Sequence, residues 1–171
     1  MNGLELLTKL GVPQELISNS QAWSRESATS ALQNIIDSPL KTIISPAQTE
    51  IVPGIDGKTG VLKGSALFEV VSYRDVAVPL PMKKTLESTG EETAPQFSYN
   101  RTLKLLLTDG TDRTFVAMEY EPCPGLTDVR LNAKIQVTNC YYHMGVLLLT
   151  PDTVKLIGVP KVPWTDESVQ Q

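Results

Sequence analysis

The chain has 171 residues, 41% of them apolar and 20% charged, which suits one domain of ordinary size with a real core and argues against disorder. Its net charge of −4 argues against a protein that lives mainly by non-specific phosphate binding, since such proteins carry a basic excess. Cys123 and Cys140 are the only cysteines; they lack CxxC spacing and read as buried or partly buried thiols of a reducing compartment, not as a metal site, and a disulfide would need the fold to bring them together. No apolar run approaches the roughly 20 residues of a spanning helix, and no signal-peptide pattern opens the chain. The expectation is a soluble intracellular protein with no cofactor, no bound metal and no membrane contact.

Residues 1–45 predict a small helical bundle. Leu4, Leu6, Leu7 and Leu10 make one apolar face, which Gly11 stops. Pro13 opens a short turn through Leu16 and Ile17. Ser24 is the expected N-cap of the next helix, whose stripe is Ala28, Ala31, Leu32, Ile35 and Ile36. Ser38-Pro39 reads as cap and first residue of a short helix with Leu40, Ile43 and Ile44, ended by Pro46. Residues 46–64 are rich in Pro and Gly and read as a linker packed on the strands after it.

From Ser65 the period changes to that of strands. Ala66 to Ala77 is the first, rich in β-branched and aromatic residues. Arg101 to Tyr120 is a hairpin: Leu103, Leu105 and Leu107 share one side, Asp109-Gly110 turns the chain, and Phe115 to Tyr120 returns. Pro122, Pro124 and Gly125 interrupt it, and Leu126 to Leu131 holds about one helical turn. Asn132 to Asn139 gives a fourth strand and Tyr141 to Met144 a turn. Gly145 to Ile157 gives a fifth strand, broken at Pro151-Asp152, before an irregular tail over 159–171. Five short strands with a break between the third and fourth predict a mainly β protein: a helical bundle followed by a five-stranded OB-fold barrel over 65–158.

Between the first two strands lies Val78 to Tyr99, far longer than the usual hairpin loop of about 2–5 residues. It cannot pack a core of its own, and its mixture of apolar and charged residues suits a segment that orders against a partner. Because this edge is a binding edge of OB folds, the candidate partner-binding residues are Val78, Pro79, Leu80, Pro81, Met82, Lys83, Lys84, Leu86, Phe97 and Tyr99. The plain alternative is an insertion with no role.

Leu105-Leu-Leu-Thr-Asp-Gly110, Met118-Glu-Tyr-Glu-Pro122 and Gly145-Val-Leu-Leu-Leu-Thr-Pro-Asp-Thr-Val-Lys-Leu-Ile-Gly158 resemble the N-terminal region of the RecQ-mediated genome instability protein 1 family. Tyr73-Arg-Asp-Val-Ala-Val-Pro79 and Leu40-Lys-Thr-Ile43 are similar to its Tudor domain-containing protein 3 relatives. The resemblance covers roughly residues 25–158. It implies a non-catalytic accessory subunit whose OB fold binds a topoisomerase III, alpha or beta, with the loop Val78–Tyr99 reaching towards the topoisomerase gate. A RecQ-family helicase would share the complex, DNA or RNA would be met mainly through the partner, and the chain alone would be a monomer. Location would be nuclear, or also cytoplasmic for a Tudor-type relative. Two departures stand out. The chain ends soon after the first OB fold, with neither a second OB domain nor a Tudor module. The family's Gly-Gly and following helix are replaced by Gly158-Val-Pro-Lys-Val-Pro-Trp164.

Two other classes fit parts of the pattern. An independent single-strand nucleic-acid binder would stack bases on Tyr73, Phe115, Tyr120, Tyr141 or Tyr142 and hold phosphates with Arg101, Lys104 and Arg113, joined by Arg130 and Lys134. An enzyme has little to stand on. His143 is the only histidine and reads as a turn residue, and no triad, HExxH, P-loop or Rossmann signature appears.

Overall fold

The structure, a computed structural model, describes residues 1–45, 52–77 and 101–164. Helices α1 (Gly3–Leu10), α2 (Ser20–Arg25), α3 (Ala28–Asp37) and α4 (Leu40–Ile43) come first, with a 3-10 turn at Gln14–Leu16; a further 3-10 turn lies at Pro124–Leu126. Six strands follow: β1 (Gly60–Asp75), β2 (Leu103–Thr108), β3 (Thr114–Glu119), β4 (Lys134–His143), β5 (Val146–Leu149) and β6 (Val154–Gly158). None of the described helices is long and apolar enough to cross a membrane.

Local chemistry explains the helix limits. Asn2 and Glu5 form a reciprocal capping box at the start of α1. Gly11 ends α1 in the left-handed region at φ 106°, and a Cβ there would overlap the backbone of Ser65 on β1. That glycine therefore both stops the helix and lets the bundle sit directly on the barrel. The cap of α3 is Ser27, not Ser24, because Ser24 falls inside α2 and its hydroxyl donates to the Gln21 carbonyl. Ser38 closes α3, and Pro39 is the cap position of α4. The bundle core of Leu7, Leu10, Ala31, Ile35, Leu40 and Ile43 takes in Leu67 from β1, with Ile157 of β6 packed against it.

Antiparallel ladders join β1 to β2, β2 to β3, β4 to β5 and β4 to β1, and a parallel ladder joins β3 to β5. The result is a closed five-stranded mixed barrel, with β6 paired to β4 outside it. Strand alternation sends Leu103, Leu105, Leu107, Phe115, Ala117 and Leu147 inward, where all are buried. Phe68 and Phe115 meet there edge to face, centroids 5.5 Å apart. Each fully buried leucine contributes roughly 1.5–3 kcal/mol against leaving it in water.

Several boundaries differ from the sequence reading. β1 takes in Gly60–Gly64 of the expected linker, because Gly60, Val61 and Leu62 pair with Tyr142, Tyr141 and Cys140 of β4, with a register shift before Ser65. β4 therefore runs on through the expected turn at Tyr141, and the chain reverses at Met144-Gly145, both at positive φ. The fifth strand divides in two at Pro151–Thr153.

Candidate partner-binding face and loop base

The ten loop residues proposed for partner contact, Val78, Pro79, Leu80, Pro81, Met82, Lys83, Lys84, Leu86, Phe97 and Tyr99, lie outside the described residues. The residues flanking that segment are described, and they are tied to each other and to the barrel. Past the end of β1, the Val76 amide donates to the Thr102 carbonyl at 2.8 Å. Asp75 Oδ1 accepts from the amides of Ala77 (3.0 Å) and Thr102 (3.1 Å), so one carboxylate oxygen joins the outgoing and returning chain. An aspartate bonding a backbone amide two residues on is a turn-forming arrangement.

Behind this stalk sits Glu119, the last residue of β3 and an inward position of that strand. Its Oε1 accepts from Arg101 Nη2 at 2.8 Å and from the Cys123 amide at 3.2 Å, and its Oε2 accepts from the Leu103 amide at 2.7 Å. The Arg101 and Glu119 side chains are each 2% exposed. Burying both ions is costly, and it is offset here by a close pair and by amides filling the remaining acceptor positions. Cys123 lies beside this carboxylate; burial first, then the Glu119 charge, pushes its thiol up to about 12.

The outward face of the barrel beside the stalk has a different character. Registers align Arg74 with Lys104, Lys104 with Met118, and Met118 with Leu148. The next row aligns Leu106 with Val116, Val116 with Val146, and Val146 with His143. Leu106, Val116, Met118, Val146 and Leu148 are half-buried, and Tyr120 and Tyr141 are 69% and 66% exposed. The face is thus mainly aliphatic, with two exposed cations, Arg74 and Lys104, directly opposite each other at the loop end. Like charges placed so are mutually unfavourable in a sheet, which favours an acidic ligand above them.

The expected nucleic-acid cations fare unequally. Lys104 is exposed on this face. Arg101 is not a surface cation, because it is held inside by Glu119. Arg113 is bound to Asp109 at 3.3 Å, donates to the Val52 carbonyl and lies 5.4 Å over the Phe115 ring. Lys134 is fully buried against Glu69 at 3.0 Å. Of the aromatic candidates, Phe115 is core, Tyr73 and Tyr142 pack against the core, and Tyr120 and Tyr141 are exposed. The sequence reading missed Asp75 and Glu119. The signal for Glu119 was its parity with Phe115 and Ala117, which places a carboxylate on the inner side of β3.

A closed barrel of this strand order, a helical bundle ahead of it and a long insertion between β1 and β2 define an OB-fold protein with an enlarged first loop. The chain belongs to the family of the RMI1 N-terminal OB-fold domain, whose family model matches residues 33–171. RecQ-mediated genome instability protein 1 of Gallus gallus is 32% identical over 143 residues, 74% of this chain and 23% of that protein. The chain thus spans under a quarter of that relative's length. A solved structure titled "Molecular basis for abrogation of activation of pro-inflammatory cytokines" overlaps 69% of this chain and 54% of its own, at 9% identity and a TM-score of 0.38, too slight to bear on function.

Proposed function

We propose that this protein is a non-catalytic accessory subunit in genome maintenance that binds a type IA topoisomerase of the topoisomerase III class, alpha or beta, within a RecQ-helicase complex. Membership of the RMI1 N-terminal OB-fold family supports that setting. The observation that carries the docking claim is the outward face of β2, β3 and β5, where Leu106, Val116, Met118, Val146 and Leu148 form an aliphatic patch next to the loop base. An aliphatic patch edged by exposed tyrosines suits a protein surface, whereas base stacking needs a platform of aromatic rings. Arg74 and Lys104 would meet acidic groups of the partner, and residues 78–100 would act on strand passage in the nucleus. DNA or RNA is then met through the topoisomerase, whose own residues cut and rejoin strands.

The test is decatenation by topoisomerase III with this chain and with a variant in which residues 79–99 are replaced by a short Gly-Ser turn. Stimulation by the intact chain and its loss with the shortened one support the reading. Equal stimulation by both would sink the role given to the loop.

A further inference from the structure

We propose that Asp75 and Glu119 are positioning residues: a two-point clamp that fixes the direction in which the chain leaves the barrel at Ala77 and returns at Arg101. Neither need touch the partner. The inference rests on the reading that this segment acts on a bound protein, and it adds how the barrel aims it.

The geometry divides the work between the two carboxylates. Asp75 holds the outgoing and returning strands to each other, through one oxygen shared by the Ala77 and Thr102 amides. Glu119 holds the returning strand to the barrel interior, through the Arg101 guanidinium and the Leu103 amide. The same Glu119 oxygen that takes Arg101 also takes the Cys123 amide, so the chain leaving β3 is locked to the same point. Without the first contact the two ends keep only the Val76–Thr102 backbone bond beyond the ladder; without the second they can swing together. A buried carboxylate with three donors is a costly way to finish a barrel that an apolar residue would also close. Its placement under the insertion points to a task beyond stability.

The clamp can be separated from simple folding because Asp75 acts as an acceptor. Asp75→Asn keeps the Oδ1 acceptor, whereas Asp75→Ala removes it. Spin labels on Ala77→Cys and Lys155→Cys, both exposed positions, report how fixed the stalk is relative to the barrel. The full chain and Asp75→Asn should give one narrow distance peak, and Asp75→Ala should lose it with no change in melting temperature. Glu119→Gln should also lose it, with a lowered melting temperature because the buried ion pair with Arg101 loses its negative member. With topoisomerase III, Asp75→Ala should bind as tightly as the parent but lose the stimulation of decatenation, and Asp75→Asn should restore it. A narrow peak in Asp75→Ala, or stimulation undiminished in that variant, would overturn the clamp. If the parent chain gives no stimulation, the proposed function fails, and the label distances alone decide the clamp.

Discussion

Glu69 and Lys134 form an ion pair inside the protein, Oε2 to Nζ 3.0 Å, with the Lys134 side chain 0% exposed. Glu69 Oε2 also accepts the Leu40 amide at 2.7 Å, so β1 holds β4 and the start of α4 with one carboxylate. The Trp164 ring covers the ammonium at 4.7 Å, and the Trp164 amide donates to Asn132 Oδ1. Burial pulls the lysine pKa down, and the Glu69 charge opposes that pull.

Removing one member of this pair strands the other. Lys134→Met should therefore cost about 3 kcal/mol or more. Trp164→Ala removes only the covering ring and should cost about 1 kcal/mol. Chemical denaturation of the two variants checks the order; a Trp164 variant as damaged as the Lys134 variant would show that the tail, not the ion pair, carries the junction.

The inward row of β2 makes a simpler test. Leu105 and Leu107 are 0% exposed, so Leu105→Asp places an unpaired charge in the barrel and should abolish cooperative melting. Circular dichroism during heating reads the result.

Cys123 gives a prediction on the alkaline side. Its thiol is raised from 9.0 to about 12, and the Cys140 thiol is raised in the same direction by burial. A folded-state value above the unfolded one means stability that is complete below pH 9 and is lost as pH climbs towards 12. Cys123→Ala should flatten that decline in urea midpoints measured across this window. Unchanged curvature would remove Cys123 from the account.

The outward face can be altered without touching the core. Met118→Glu puts a charge between Lys104 and Leu148, and surface changes of this kind usually move stability by about 0.5 kcal/mol or less. The variant should melt near the parent yet fail to co-purify with topoisomerase III. Retained co-purification would move the interface elsewhere.

The sequence made the barrel legible because Leu103, Leu105 and Leu107 alternate and Asp109-Gly110 marks the turn, with Gly110 at φ 91°. It misplaced the β4–β5 turn because Met144 takes φ 49°, a conformation no side-chain type announces there. Arg101, Arg113 and Lys134 were read as surface cations because charge looks the same in a sequence whether it is solvated or paired. Lys134 was doubly hidden, since it lies on the face of β4 opposite Ile135 and is buried there by Glu69 and the Trp164 ring. The unusual length of chain between β1 and β2 was legible. The base of that segment was not, because the Asp75 and Glu119 contacts join segments that only the closed barrel brings together.

The most direct measurement is a calorimetric titration of the chain into topoisomerase III alpha and beta, with a single-stranded oligonucleotide titrated under the same salt. We predict saturable one-to-one binding to at least one topoisomerase, and much weaker binding to the oligonucleotide. Tight binding of the oligonucleotide with no heat from either topoisomerase would contradict the account.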